Sequence, residues 1–145
     1  MDFMNSIQTS ASGLSTQRLR MNLISGNLAN VNTTRTLQGG PYRRKEAVFA
    51  AQSIDSTFNK ILTDRQKSQF ATVQVDRIYE DPNPPMMKYQ PSHPDANEKG
   101  YVAMPNINVM EEMVNMISAT RGYEANVTAL KAAKDMASRA LEIGK

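Results

Sequence analysis

Proline is confined to the middle of this 145-residue chain: all seven lie between Pro41 and Pro105. A proline removes a backbone donor and clashes with the preceding helical turn, so the middle must be broken into turns and short strands. The flanks carry no such interruption and are free to run as long helices. Seven of the nine aromatic residues also fall within 42–101, leaving only Phe3 and Tyr123 outside. Three parts follow: an N-terminal helical segment over 1–30, a β-containing middle segment over 31–105, and a C-terminal helical segment over 106–145. The expected fold class is mainly α with a small β-rich insertion, the two long terminal helices packing side by side as an antiparallel, coiled-coil-like pair.

In the first helix, expected over about 4–30, Ile7, Ala11, Leu14, Arg18, Met21, Ser25 and Leu28 follow a 4-3-4-3-4-3 spacing. That is the seam of a coiled coil, although Arg18 and Ser25 stand where an isolated dimer would carry an aliphatic residue. Gly13 and the many Ser and Thr residues weaken the helix further, so alone in water it is marginal. The second helix, expected over about 108–143, is richer in alanine and places Met110, Met113, Ile117, Thr120, Val127, Leu130, Lys134, Ala137 and Leu141 on roughly one face. Asn108 is its expected N-cap, with Glu111 three residues on as in a capping box, and Gly144 is a stop signal. The two helices would span roughly 40 and 54 Å, long for so small a chain. The packing residues expected from these stripes are Ile7, Ala11, Leu14, Met21 and Leu28 on the first helix, with Met113, Ile117, Val127, Leu130, Ala137 and Leu141 on the second.

The middle reads as short strands. Residues 73–79 are rich in Val, Ile and Tyr and are ended by Asp81-Pro82-Asn83-Pro84-Pro85. Residues 101–104 are their expected partner, with 87–90 a third strand and a short hairpin around Gly39-Gly40-Pro41. Ile54, Phe58, Ile61 and Leu62 fit one face of a short helix.

Several chemistries are excluded by what the chain lacks. Cysteine is absent, so neither a disulfide framework nor a thiolate metal site exists. His93 is the only histidine, too few for a Ser/His/Asp triad or a multi-ligand metal centre, and His93-Pro94-Asp95 reads as a turn. Glu111 and Glu112 are adjacent and diverge on a helix, so they cannot flank one bond. Gly39-Gly40-Pro41 lacks the Lys-Ser/Thr ending of a phosphate loop. No catalytic residue, cofactor, metal or small-molecule substrate is expected. The net charge of +3 is mild. Its densest run, Arg43-Arg44-Lys45, is followed at once by Glu46 and reads as a solvated loop rather than a nucleic-acid stripe. The first residues have neither the basic nor the apolar region of a cleaved secretory signal. The longest apolar stretch, 47–51, falls far short of the ~18 residues that would suggest a membrane span. On composition alone the default is a soluble cytoplasmic protein.

Two stretches go beyond generic patterning. Ser25-Gly26-Asn27-Leu28-Ala29-Asn30-Val31-Asn32-Thr33-Thr34 resembles, through Ala29, Asn30 and Thr33, the A-N-x-x-T signature of axial flagellar proteins, the rod, hook and related subunits. Its Asn and Thr side chains are suited to cap the last helical turn and redirect the chain. The second stretch contains His93-Pro94-Asp95-Ala96-Asn97, Gly100-Tyr101-Val102, Pro105-Asn106-Ile107-Asn108-Val109 and Glu112-Met113-Val114. It continues through Met116, Ala119, Arg121, Tyr123-Glu124-Ala125-Asn126 and Lys134-Asp135-Met136, and resembles the C-terminal half of proximal rod subunits within that family. Residues 52–72 carry no such likeness.

The resemblance implies a structural subunit whose terminal helices form the core domain of a tubular rod and whose middle segment forms an outer lobe. It implies partners: copies of the chain, other proximal and distal rod subunits, a basal-body adaptor and the flagellar type III export apparatus. It also implies export without a cleaved signal to a rod crossing the periplasm. Marginal helices suit that route, remaining unfolded in a narrow channel and ordering when neighbours offer apolar stripes. The stripe of Met110, Met113 and Met116 has two readings, ordinary packing or an adaptable partner-binding face, which merge in a polymer. Two other classes remain from the sequence: another type III needle or translocon component, and a basic coiled-coil protein that binds nucleic acid.

Overall fold

The computed structural model describes residues 3–53 and 71–143. Helix α1 (Phe3–Ala29) leads into strand β1 (Lys45–Ser53); β2 (Ala71–Glu80), β3 (Met86–Tyr89), β4 (Tyr101–Met104) and helix α2 (Val109–Ile143) follow. The architecture is mainly α with a small β insertion, as the proline distribution requires.

The helices lie side by side and antiparallel. Gly13 faces Asn126, Gln17 faces Gly122, Met21 meets Thr120 and Asn27 meets Glu112, so residue numbers rise on one helix as they fall on the other. Close approach rests on reciprocal glycines. A Cβ built on Gly13 would stand 3.0 Å from the amide of Asn126, and one built on Gly122 would stand 3.2 Å from that of Gln17. Each helix thus receives an amide side chain from the other in the space a methyl group would take.

Among the described residues the strands form two separate antiparallel pairs rather than one small sheet. Strand β2 pairs with β1, from Lys45 opposite Glu80 to Ser53 opposite Ala71. Asp76 bulges between the partners of Val48 and Phe49. The expected pairing of 73–79 with 101–104 is therefore incorrect: β4 pairs with β3 instead, with Tyr89 and Tyr101 meeting edge to face at 5.3 Å. Residues 45–53 were not expected as a strand. Three alanines and a charged start weaken the β-rich appearance of 45–53, and pairing along β2 overrides that local preference.

The β1–β2 hairpin lies along α1. Asn27 bonds the backbone of Lys45 at one end, and the backbone N–H of Val73 donates to Ser12 Oγ at 3.2 Å further along. The expected hairpin at Gly39-Gly40-Pro41 is a tight turn without strands. There the Thr36 and Gly40 backbones bond, and both glycines adopt left-handed φ angles of 86° and 77°. The expected short helix through Ile54, Phe58, Ile61 and Leu62 lies outside the described residues, as does Gly144.

The hydrophobic core is thin. Ile24, Val102, Ile107, Ala119 and Ala133 are its buried apolar members among the described residues.

Candidate assembly surface

The face that α2 turns to α1 differs from the apolar stripe expected. Glu112, Ala119 and Ala133 are buried, with half-buried Asn126 completing a seven-residue repeat. On α1 the buried positions are Thr16, Ile24 and Asn27. Small and polar residues line this seam because the glycine contacts bring the backbones close. Its hydroxyls are also satisfied within their own helix: Thr16 Oγ1 donates to the carbonyls of Ser12 and Gly13, and Ser12 Oγ to that of Thr9. Satisfaction is incomplete, since among the described residues Thr9 Oγ1 and Gln17 Oε1 are buried without a hydrogen-bond partner, each at a cost of about 1–3 kcal/mol.

The apolar stripes sit beside or outside this seam. Ile7, Leu14, Met21 and Leu28 are half-buried and Ala11 is exposed. On α2, Val127, Leu130 and Ala137 are half-buried, whereas Met113, Ile117 and Leu141 are exposed, Ile117 at 56% and Leu141 at 76%. Met110, Met113, Val114 and Ile117 follow i, i+3, i+4, i+7 spacing and form an open apolar face near the start of α2. At the other end of the pair, Phe3, Met136 and Leu141 flank an open apolar groove floored by Ala133, Ala137 and Ala140. Exposed apolar patches of this kind mark contact surfaces on soluble proteins. Among the described residues, no helix is long and apolar enough to cross a membrane.

Where α1 ends and α2 begins, a polar cluster closes the pair. Asn27 and Glu112 are each 1% exposed. Asn27 Nδ2 donates to the carbonyl of Lys45 at 2.9 Å and to Glu112 Oε2 at 3.0 Å. Its Oδ1 accepts from the Lys45 N–H at 2.9 Å and the Tyr42 hydroxyl at 3.1 Å. All of the amide's main valences are used. The second carboxylate oxygen of Glu112 takes a 2.7 Å bond from Arg44 Nε, and Arg44 reaches on to Glu46 at 3.0 Å. Burial disfavours the charge on Arg44, but the hydrogen bond and field of Glu112, with help from Glu46, outweigh it and raise its pKa. Burial raises the Tyr42 phenol above its ordinary 10.0, and the carboxylates of Glu80 and Glu112 reinforce the shift against Lys45.

This cluster escaped the sequence reading. Arg44 stands in a run that reads as a solvated loop, yet it is the partner of a buried carboxylate. Glu111, in the first turn of α2, is exposed, and it is the neighbouring Glu112 that turns inward. The available signals were Asn27 between half-buried helix positions and a carboxylate beside a methionine stripe, both expensive to bury unless paired.

The two motif stretches meet in space. Asn30 closes α1 by bonding the Gly26 carbonyl through its backbone and its side chain, and Thr33 Oγ1 donates to Asn30 Oδ1. Ala29 is exposed. Thr34 Oγ1 then donates to Asp95 Oδ2 at 2.8 Å, joining the first motif to the second across 61 residues. His93 Nδ1 accepts from the Asp95 backbone, which fixes a turn, and the backbone of Ala96 bonds the His93 carbonyl. Pro94 stands exposed in that turn. Asn97 Oδ1 accepts from the N–H groups of Lys99 and Tyr101. Gly100 has a φ of 78°, and a Cβ there would stand 2.9 Å from the Tyr89 ring, so both backbone and space require glycine. Pro105 and Ile107 are buried and Asn106 is exposed. Asn108 caps α2, its Oδ1 accepting from the Met110 N–H at 3.1 Å.

Comparison with known proteins matches both ends of the chain. The family described as flagella basal body rod protein matches residues 7–35, and that described as flagellar basal body rod FlgEFG protein C-terminal matches residues 98–143. The chain is 43% identical to the flagellar basal-body rod protein FlgC of Borreliella burgdorferi, over 99% of this chain and 98% of that protein. It is 45% identical to the FlgC of Bacillus subtilis, over 97% of each. With the FlgC of Escherichia coli O157:H7 it shares 34% identity over the whole of both. With its capped helix pair, its joined motif stretches and full-length identity to these relatives, the chain belongs to the FlgC family of flagellar basal-body rod structural proteins.

Proposed function

We propose that this chain polymerises through its terminal helices, with copies of itself and with other proximal and distal rod proteins and the basal-body adaptor. The product is a torque-transmitting drive shaft that also walls the export channel. The open apolar faces carry this reading. Met110, Met113, Val114 and Ile117 at one end of the helix pair, and the groove by Phe3, Met136 and Leu141 at the other, have no covering within the described subunit. Neighbours that bury them complete supercoiled, coiled-coil-like packing. Contacts between different patches on successive copies do not close and so generate tubes. In this reading the terminal segments 1–30 and 106–145, which carry the two helices, form the rod core domain and residues 31–105 the outer lobe. The subunit travels through the flagellar type III apparatus without a cleaved signal to a rod that crosses the periplasm.

Replacing Ile117 with Asp tests the interface. This residue is already exposed in the subunit, so the variant should keep wild-type synthesis and helicity yet fail to enter the rod and fail to support swimming. Leu130→Asp should fail in the same way, with some loss of subunit stability because Leu130 is half-buried. Normal incorporation of Ile117→Asp would refute the assignment of that face.

A further inference from the structure

The seam does little to fix how far one helix slides along the other. Glu112, Ala119, Asn126 and Ala133 recur every seven residues on α2, and three of the four are small. A slip of two turns would bring alanine in place of asparagine to Gly13, and Asn115 or Ala129 in place of Gly122 to Gln17, a contact with the far end of a flexible amide that yields by a few tenths of an ångström. Thr16 bonds only its own helix, and the orphaned Thr9 and Gln17 oxygens favour no register. Strand β1 is tied to α1 through Asn27, and the Thr34–Asp95 bond joins two loops. Neither tie reaches α2. Glu112 is the carboxylate that does, meeting Asn27 of α1 and Arg44 of the loop that follows it.

We propose that the Arg44–Glu112–Asn27 cluster is the register lock of the helix pair, acting on specificity of alignment more than on stability. In the native alignment the buried carboxylate has both partners. In an alignment slipped by one or two turns, the buried Glu112 loses both Arg44 and Asn27, and the buried Asn27 loses one of its four bonds. Breaking a buried pair carries a penalty that converts to at least about a hundredfold preference for the native alignment. A buried ion pair replaced by apolar residues of similar volume leaves stability nearly unchanged, so alignment and stability are separable.

The test uses the double variant Arg44→Met/Glu112→Leu. It leaves the bonds from Asn27 to Tyr42 and Lys45 in place and removes the link across to α2, together with the exposed Arg44–Glu46 pair. The chain has no cysteine, so cysteines introduced in pairs report without background. Met21→Cys with Thr120→Cys reads the native register, since these side chains touch at 3.6 Å. Met21→Cys with Glu124→Cys or Val127→Cys reads a slip of one or two turns. With a short thiol-to-thiol cross-linker, the chain with the cluster intact should close 21–120 alone. The double variant should keep its helicity by circular dichroism while the slipped pairs rise to within about tenfold of the native one, the preference having lost its source. A helical double variant that closes only 21–120 would overturn the proposal. So would loss of helicity, because the cluster would then supply stability rather than alignment, and so would failure of 21–120 to close with the cluster intact. None of these outcomes depends on rod assembly, so the test is independent of the polymerisation reading.

Discussion

Tyr42 shows how one side chain makes the cluster sensitive to alkali. Its hydroxyl donates to Asn27 Oδ1, and burial raises its pKa above 10.0. A group whose folded pKa is raised contributes stability that is fully present below the unfolded value. That contribution disappears as pH climbs through the folded value. Stability against urea should therefore be flat from neutral pH to about pH 10 as far as Tyr42 is concerned, then fall. Tyr42→Phe should be weaker by about 1 kcal/mol at neutral pH, for the lost hydrogen bond, and should show a shallower alkaline decline. An identical decline in the two proteins would remove Tyr42 from the account. None of this was legible in the sequence. Tyr42 follows Gly39-Gly40-Pro41 and stands before three cations, so it looks like the tip of a solvated loop. What buries it is a chain reversal that returns residues 42–45 to Asn27.

Among the elements, the helices were the most legible part of the fold, because freedom from proline and a clear cap at Asn108 act locally. Observed limits lie within a residue or so of those expected. The direction each helix faces was less legible. Apolar spacing identified stripes, yet the seam belongs to glycine, alanine and amides. A stripe is drawn inward only if nothing else brings the backbones closer, and here Gly13 and Gly122 do so. The strand at 73–79 was legible from its β-branched run, whereas its partner was not, because pairing is a long-range choice. Gly13 gives the seam its measurable signature. Alanine there gains helix propensity of about 1 kcal/mol but pushes Asn126 aside by a few tenths of an ångström, so Gly13→Ala should fall within about 1 kcal/mol of wild type. Gly13→Val should destabilise by about 1–3 kcal/mol, because a branched residue cannot fit 3.0 Å from that amide. Chemical denaturation decides the matter; equal tolerance of both substitutions would mean that the helices stand further apart than described.

At the scale of the molecule, packing is uneven along the helix pair. The end at Asn27 and Glu112 has a satisfied cluster and buried Ile24, while the end at Phe3 and Leu141 has buried Ala133 and an open groove, with Met136 65% exposed. The subunit in isolation should protect its amides around 20–27 and 112–120 from hydrogen exchange and lose protection towards 3–10 and 133–141. Helicity by circular dichroism should rise on assembly as that second end finds neighbours. Uniform protection over both helices in the isolated chain would contradict this, since the pair would then be complete without partners.

Lys45 and Glu80 begin and end the long β hairpin, and they stand opposite each other, their side chains 3.3 Å apart. The chain therefore leaves Asn27 and comes back to it at one place, like a ribbon folded back along a trunk, its two feet sharing a single socket. A change in the length of such a ribbon leaves the spacing of the feet unchanged, because the feet are held by their own pairing. Subunits of this design can vary the length of that ribbon while its feet, and the trunk they stand on, keep one geometry.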